Sequence, residues 1–208
     1  QMARDSVGGI HLLSLAAHDL LPPHLRQTAS EEIFQNPDQY VRTLAGGHFN
    51  QPAETKDYDI REISSLEASA DKGKIQFFRH CVICHSNGEG GGQFGPSLAN
   101  IGGKMGKTEL LEAVIEPGEA VQFGFEPWII TTKDGRAAYG IVLTNGGIVV
   151  LKDVLGNRHV FRSENIASKV QLSTSLMPDA ASFQMNDQEL ADLTKYLMSL
   201  TRASSYPY

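Results

Sequence analysis

The chain has 208 residues, of which 41% are hydrophobic and 20% are charged, and its net charge is −6. These fractions are typical of a globular protein with one or two domains. The negative charge argues against a nucleic-acid partner, because nucleic-acid binding favours a basic surface. No apolar run approaches the roughly 20 residues of a membrane-spanning helix, so we predict that the chain does not span a membrane.

The first 50 residues have the pattern of short helices. Pro22-Pro23 interrupts a first apolar pattern, and a second helix is predicted from Pro23 to Phe34. A third is predicted after Asn36-Pro37, where an N-cap residue precedes a proline at the first helical position. We therefore predict a helical segment at residues 1–50, which could be the end of an α-solenoid repeat. Residues 51–68 are polar and without clear periodicity, so they are predicted to be a linker.

A helix predicted to begin near Ser69 leads into Cys81-Val82-Ile83-Cys84-His85. Two cysteines at this spacing lie on one face of a helical turn. Their sulfurs can therefore form thioethers with the two vinyl groups of one haem, and the histidine that follows can bring a ring nitrogen to the iron. The motif predicts one covalent haem c, attached through Cys81 and Cys84, with His85 as the proximal iron ligand.

Two other interpretations of the cysteine pair fit less well. A thioredoxin-like redox centre requires a strand–helix context and has no use for the adjacent histidine. A structural zinc site requires four ligands, and Cys81 and Cys84 are the only cysteines in the chain.

The glycine-rich stretch 87–96 is predicted to be a loop that turns closely around a flat cofactor, since it lacks the ending of a phosphate-binding loop. An amphipathic helix is predicted at Thr108–Glu116. The spacing of apolar residues then changes to the two-residue period of strands, and Asp134-Gly135 and Asn145-Gly146 are predicted to be hairpin turns. We predict a small antiparallel β module of four or five strands at about residues 126–170. The last helix of the chain, the closing helix, is predicted to begin at Asn186.

The sixth position of the iron needs a second ligand, and Met177 is the candidate. A thioether sulfur is a soft ligand that favours ferrous iron, and Pro178 restricts the backbone of the residue before it. The closest rival is Met185. The remaining methionines are Met2, Met105 and Met198.

Several of these motifs together resemble a class I cytochrome c. They are Gly73-x-x-x-Phe77, the segment 95–98 (Gly-Pro-Ser-Leu), the segment 175–178 (Ser-Leu-Met-Pro) and the closing helix. The resemblance implies that the first and last helices of the domain pack together, with Gly73 permitting close approach and Phe77 meeting Tyr196. It also implies that the carbonyl of Pro96 accepts a hydrogen bond from the unligated ring nitrogen of His85.

The long gap between His85 and Met177, which holds the β module, is more than a minimal cytochrome c needs. With further motifs at 101–104, 113–117 and 132–135, residues 70–200 are similar to the planctomycete- and verrucomicrobium-type haem-binding domain. That resemblance implies an exported or periplasmic protein, whose haem accepts electrons from a partner protein or a fused dehydrogenase.

We therefore expect a mainly α chain with a class I cytochrome c domain at residues 69–200, the β-rich insertion at 126–170 and a tail at 201–208. The predicted function is transfer of single electrons, without enzymatic activity. One alternative is a haem enzyme or small-ligand sensor with an open iron position, for which His80, Arg158 and His159 can be nominated. In another, the β module binds a partner or glycan through Trp128 and Tyr139.

Overall fold

The computed structural model describes residues 2–17, 20–38, 41–42, 45, 48–49, 57–172 and 175–201. The chain forms two compact units. The sheet unit combines Gln1–Glu54 with Val121–Pro178, and the cysteine-motif unit combines Thr55–Ala120 with Asp179–Tyr208. The N-terminal helices and the β-rich insertion, which the sequence predicts as separate parts, therefore group together.

Two helices of the sheet unit are described, α1 (Ser6–Ala17) and α2 (Pro23–Ile33), after a short 3₁₀ turn at Met2–Arg4. Pro23 is the first residue of α2, as the double proline predicts, because a missing N–H costs nothing at that position. The third predicted helix, the N-terminal part of the predicted linker (51–56) and nearly all of the predicted tail fall wholly or partly outside the described residues.

Five strands form one antiparallel sheet in the order β4-β3-β2-β1-β5. They are β1 (Pro127–Thr132), β2 (Ala137–Asn145), β3 (Ile148–Lys152), β4 (Arg158–Arg162) and β5 (Ile166–Gln171). Gly135 has a φ of 84° in the β1–β2 turn, a conformation that glycine adopts at no steric cost. The predicted antiparallel module is confirmed.

The two aromatic residues considered for a binding surface belong to the body of this sheet. Tyr139 is only 6% exposed, and Trp128 packs against a buried cluster that includes Ile130 and Leu151. Both aromatic side chains therefore pack within the sheet unit.

The helices of the cysteine-motif unit are α3 (Ile60–Ser65), α4 (Ala70–Gln76), α5 (Lys107–Ile115) and α6 (Asp187–Ser199). A π-helical turn, Phe77–Cys81, extends α4, and a 3₁₀ turn forms at Ile101–Gly103. Six α-helices and a five-stranded sheet are thus present in the described residues, so the prediction of a mainly α chain is confirmed only in part. No helix in the described ranges is both long and apolar enough to cross a membrane.

Helix α3 lies within residues 51–68, which the sequence pattern indicates as a linker. Its N-cap Asp59 accepts hydrogen bonds from the backbone N–H groups of Arg61 and Glu62, at 2.8 and 3.1 Å. Ile63 is fully buried and fixes the helix to the unit. One deeply buried residue in a six-residue helix gives no periodic signal, which is why the sequence pattern indicated a linker.

Helices α4 and α6 pack closely, as the resemblance implies. A Cβ atom on Gly73 would lie 1.9 Å from the carbonyl oxygen of Asp192, so only glycine permits this approach. The rings of Phe77 and Tyr196 are 5.5 Å apart between centroids. The buried carboxylate of Asp192 accepts a hydrogen bond of 2.7 Å from the backbone N–H of Ser69, the N-cap residue of α4.

We expect Gly73→Ala to destabilise the cysteine-motif unit by about 3 kcal/mol, because the added methyl forces α4 and α6 apart. Chemical denaturation followed by circular dichroism measures the effect. Lys72→Ala, at the exposed neighbouring position of the same helix, is the control and should change the free energy of unfolding by less than about 0.5 kcal/mol. Equal stability of the two variants would contradict the packing argument.

Candidate functional site

The cysteine motif occupies a tight turn at the end of the π-helical segment. The backbone N–H groups of Cys84 and His85 both donate to the carbonyl of Cys81, at 3.1 and 2.9 Å. Both cysteines are free thiols and both are partly buried. The turn therefore fixes the two sulfurs and the following imidazole relative to one another, which covalent attachment of a single cofactor requires.

The environment of Cys81 argues against a disulfide redox centre. Burial, with a smaller contribution from Cys84, raises the pKa of the Cys81 thiol to about 12. Reactive CxxC pairs in oxidoreductases work through a thiolate with a lowered pKa, so this site has the opposite character. The described residues also contain no cluster of three or more His, Cys, Asp or Glu side chains that could hold a zinc ion.

His85 is held by its ring nitrogen. Its Nδ1 lies 2.7 Å from the carbonyl oxygen of Pro96, and the side chain is only 8% exposed. Because a carbonyl can only accept, Nδ1 carries the hydrogen and Nε2 keeps a free lone pair. Burial lowers the pKa of His85, which favours the neutral imidazole that binds metals. This is the hydrogen bond that the resemblance implies.

The glycine-rich loop wraps closely around the cysteine turn. The N–H groups of Gly92 and Gly95 donate to the carbonyls of Val82 and Cys84, each at 2.8 Å. A Cβ atom on Gly95 would lie 2.6 Å from Cε1 of the His85 ring, so the absence of a side chain there makes room for the imidazole.

Asn87 is a structural residue of this loop that the sequence analysis did not single out. It is buried, and its Nδ2 donates to the hydroxyl of Tyr196 on α6 at 2.9 Å. Its Oδ1 accepts from the N–H groups of Glu89 and Gly90, at 3.0 and 3.1 Å. The Asn-Gly pair at 87–88 signals such a turn, but its partner on α6 lies far away in sequence.

Two of the other nominated residues, His80 and His159, have local partners. The ring centroids of His80 and Phe183 are 4.8 Å apart. The pKa of His80 is lowered, mainly by burial. His159, on β4 of the sheet unit, pairs through Nε2 with a carboxylate oxygen of Asp153 at 2.8 Å. Arg158 is exposed on the same strand.

The candidate sixth ligand, Met177, lies at the end of the sheet unit. Its side chain is partly buried, and its N–H donates to the hydroxyl of Ser175 at 3.0 Å. The closest rival, Met185, is only 2% exposed in the cysteine-motif unit. Met105 is partly buried and Met198 is 36% exposed, whereas the side chain of Met2 is outside the described part of the chain.

Residues 70–135 match the family model of cytochrome c. The match begins at the first residue of α4 and includes the cysteine motif, the glycine-rich loop and the first strand of the sheet. Comparison with curated protein sequences gives no significant match. The family match implies a covalently bound haem c, and with it iron binding and a role in electron transfer.

The local geometry fits this cofactor. Cys81 and Cys84 supply two unoxidised thiols on one turn, and His85 supplies a neutral imidazole whose Nε2 is not used by Pro96. These are the residue types that hold haem c.

Proposed function

We propose that the chain transfers single electrons through one haem c, which Cys81 and Cys84 would hold covalently and whose iron His85 and Met177 would bind. The observation that carries the proposal is the buried His85, whose Nδ1 donates to the carbonyl of Pro96 within the cysteine-motif turn. When bound, haem supplies an iron that alternates between the ferric and ferrous states.

His85 and its neighbours set the properties of that iron. The hydrogen bond to Pro96 fixes the ring orientation and raises the basicity of Nε2, which is how partners of a ligand tune a metal. The burial that lowers the pKa of His85 also keeps the imidazole neutral. None of these groups needs to take or give a proton to a substrate, which is consistent with electron transfer and not with acid–base catalysis.

Met177 is the residue that we propose as the second protein ligand of the iron. Its thioether is a soft donor, and Met/His ligation raises the reduction potential of a haem. The backbone around it is restrained by Pro178 and by the hydrogen bond to Ser175.

The sheet unit supports a more specific assignment. A β-rich segment between the histidine and methionine ligands distinguishes the planctomycete- and verrucomicrobium-type haem-binding domain from a minimal cytochrome c, and we propose that the chain is of this type. Its electrons then come from a partner protein or a fused dehydrogenase, in the periplasm or another exported location.

Optical spectra of the purified holoprotein, oxidised and reduced, with and without carbon monoxide, test the ligand assignment. We expect a low-spin spectrum that carbon monoxide does not change, with the weak far-red band of an iron–methionine bond in the oxidised form. Met177→Ala should abolish that band and lower the reduction potential, because a soft ligand is lost. Met198→Ala, which truncates an exposed methionine, is the matched control and should change neither.

An unchanged band and potential in Met177→Ala would assign the sixth ligand to another residue. Ready binding of carbon monoxide by the wild-type protein would show an open iron position and favour a haem enzyme or sensor.

A further inference from the structure

The segment that follows Met177 is folded into a compact loop, residues 179–185, which we call the closing loop. Ala180 and Met185, near its two ends, are buried, and the N–H of Met185 donates to the carbonyl of Ala180 at 3.2 Å. Within the loop, the N–H of Gln184 donates to the carbonyl of Ala181 at 2.8 Å. The loop therefore has a defined shape of its own.

The backbone conformation of Gln184 indicates that the surrounding structure constrains this loop. Its φ is 54°, and it is the only non-glycine with a positive φ among the described residues. A left-handed conformation is unfavourable for a residue with a Cβ atom, and it persists where surrounding contacts over-determine the backbone. Contacts outside the loop must therefore hold it.

Two side-chain contacts tie the loop to the rest of the cysteine-motif unit. The hydroxyl of Tyr58, which precedes α3, donates to the carbonyl of Met185 at 2.8 Å. Burial and the nearby carboxylates raise the pKa of Tyr58, so the phenol remains a donor across the physiological range. The ring of Phe183 lies 4.8 Å from that of His80, the residue immediately before Cys81.

We propose that Tyr58 and Phe183 are positioning residues for Met177, which would bind the haem iron. They fix the loop that begins two residues after Met177, and Phe183 fixes it against the same turn that carries the haem-attachment cysteines. This inference rests on the proposed role of Met177. Tyr58 and Phe183 restrict how far the loop can withdraw, and so keep the thioether available to the iron.

The strength of each contact sets the size of the effect. A hydrogen bond contributes about 1 kcal/mol net, and an aromatic pair contributes a similar amount. Removing either should therefore raise the population of molecules with a displaced Met177 about fivefold. Carbon monoxide binds reduced iron only when the ligand is displaced, so its rate of binding to the reduced holoprotein reports that population.

Tyr58→Phe removes only the hydroxyl, and we expect it to raise the rate of carbon monoxide binding about fivefold and to weaken the far-red band. Phe183→Leu should act in the same direction, which gives a second test if one variant folds poorly. Ser182→Ala is the control: it removes a hydroxyl from the exposed part of the same loop and should change neither quantity.

The outcomes separate the inference from the proposed function. If the wild-type protein has no far-red band, the assignment of Met177 fails, and the inference fails with it. If the wild-type protein has the band and both variants keep it, together with the wild-type rate of carbon monoxide binding, the proposed function stands and the positioning role is overturned.

Discussion

Replacing both Cys81 and Cys84 by serine will abolish covalent attachment of haem, and either single replacement will weaken it. A serine hydroxyl cannot replace sulfur in a thioether, and these two thiols are the only cysteines in the chain. Haem staining of a denaturing gel and the intact mass of the purified protein measure attachment directly. We expect the mass of one haem on the wild-type chain and none on the double variant.

The residue between the cysteines provides a close control for this experiment. Ile83 is 70% exposed, and Ile83→Ser changes the same turn without removing a sulfur. This variant should keep its haem through denaturation. Haem that remains on the double variant after denaturation would place the attachment outside the cysteine motif.

Local signals in the sequence were sufficient to predict most of the regular elements. Ser69 and the Asn186–Glu189 pair marked the starts of α4 and α6, because N-cap residues satisfy backbone N–H groups that the helix leaves unpaired. The Asp134-Gly135 turn separated two strands for a similar reason, since glycine readily adopts the positive φ found there. In each case the residue type and the local conformation determine one another.

Features that depend on distant contacts were not predictable in this way. The sequence placed residues 1–50 apart from the β module, whereas α1 lies against β2 within the sheet unit. Helix α3 depends on the burial of Ile63, and no other residue of this helix is buried. The segment therefore has no apolar periodicity that would predict a helix. Grouping of elements follows from tertiary packing, which leaves little trace in the periodicity of any one segment.

Some residues of the candidate site could be predicted from local sequence spacing, whereas others depend on contacts that only the folded chain makes. Spacing alone indicated Cys81, Cys84 and His85, because the chemistry of attachment fixes their order. The contact between His85 and Pro96 was implied only by the resemblance to cytochrome c, and Asn87 was not indicated by either route. The close approach of Gly95 to the imidazole ring is likewise a property of the folded loop.

Gly95→Ala should displace the imidazole ring of His85. The new Cβ atom would lie 2.6 Å from Cε1 and 2.9 Å from both nitrogens of the His85 ring. The ring must therefore move, and the 2.7 Å hydrogen bond to the neighbouring Pro96 carbonyl must lengthen or break. We expect a loss of about 3 kcal/mol in the free energy of unfolding, with partial conversion of the haem to a high-spin spectrum.

Gly90→Ala is the matched control because it adds the same methyl group to the same loop, where no atom lies within 4 Å of the new Cβ. Its spectrum should stay low-spin and its free energy of unfolding should change by less than about 0.5 kcal/mol. The difference between the two variants isolates contact with the imidazole from any general effect of replacing a loop glycine. Identical spectra and stabilities would mean that the ring accommodates the methyl group, and that the fit between Gly95 and His85 does not hold the imidazole in place.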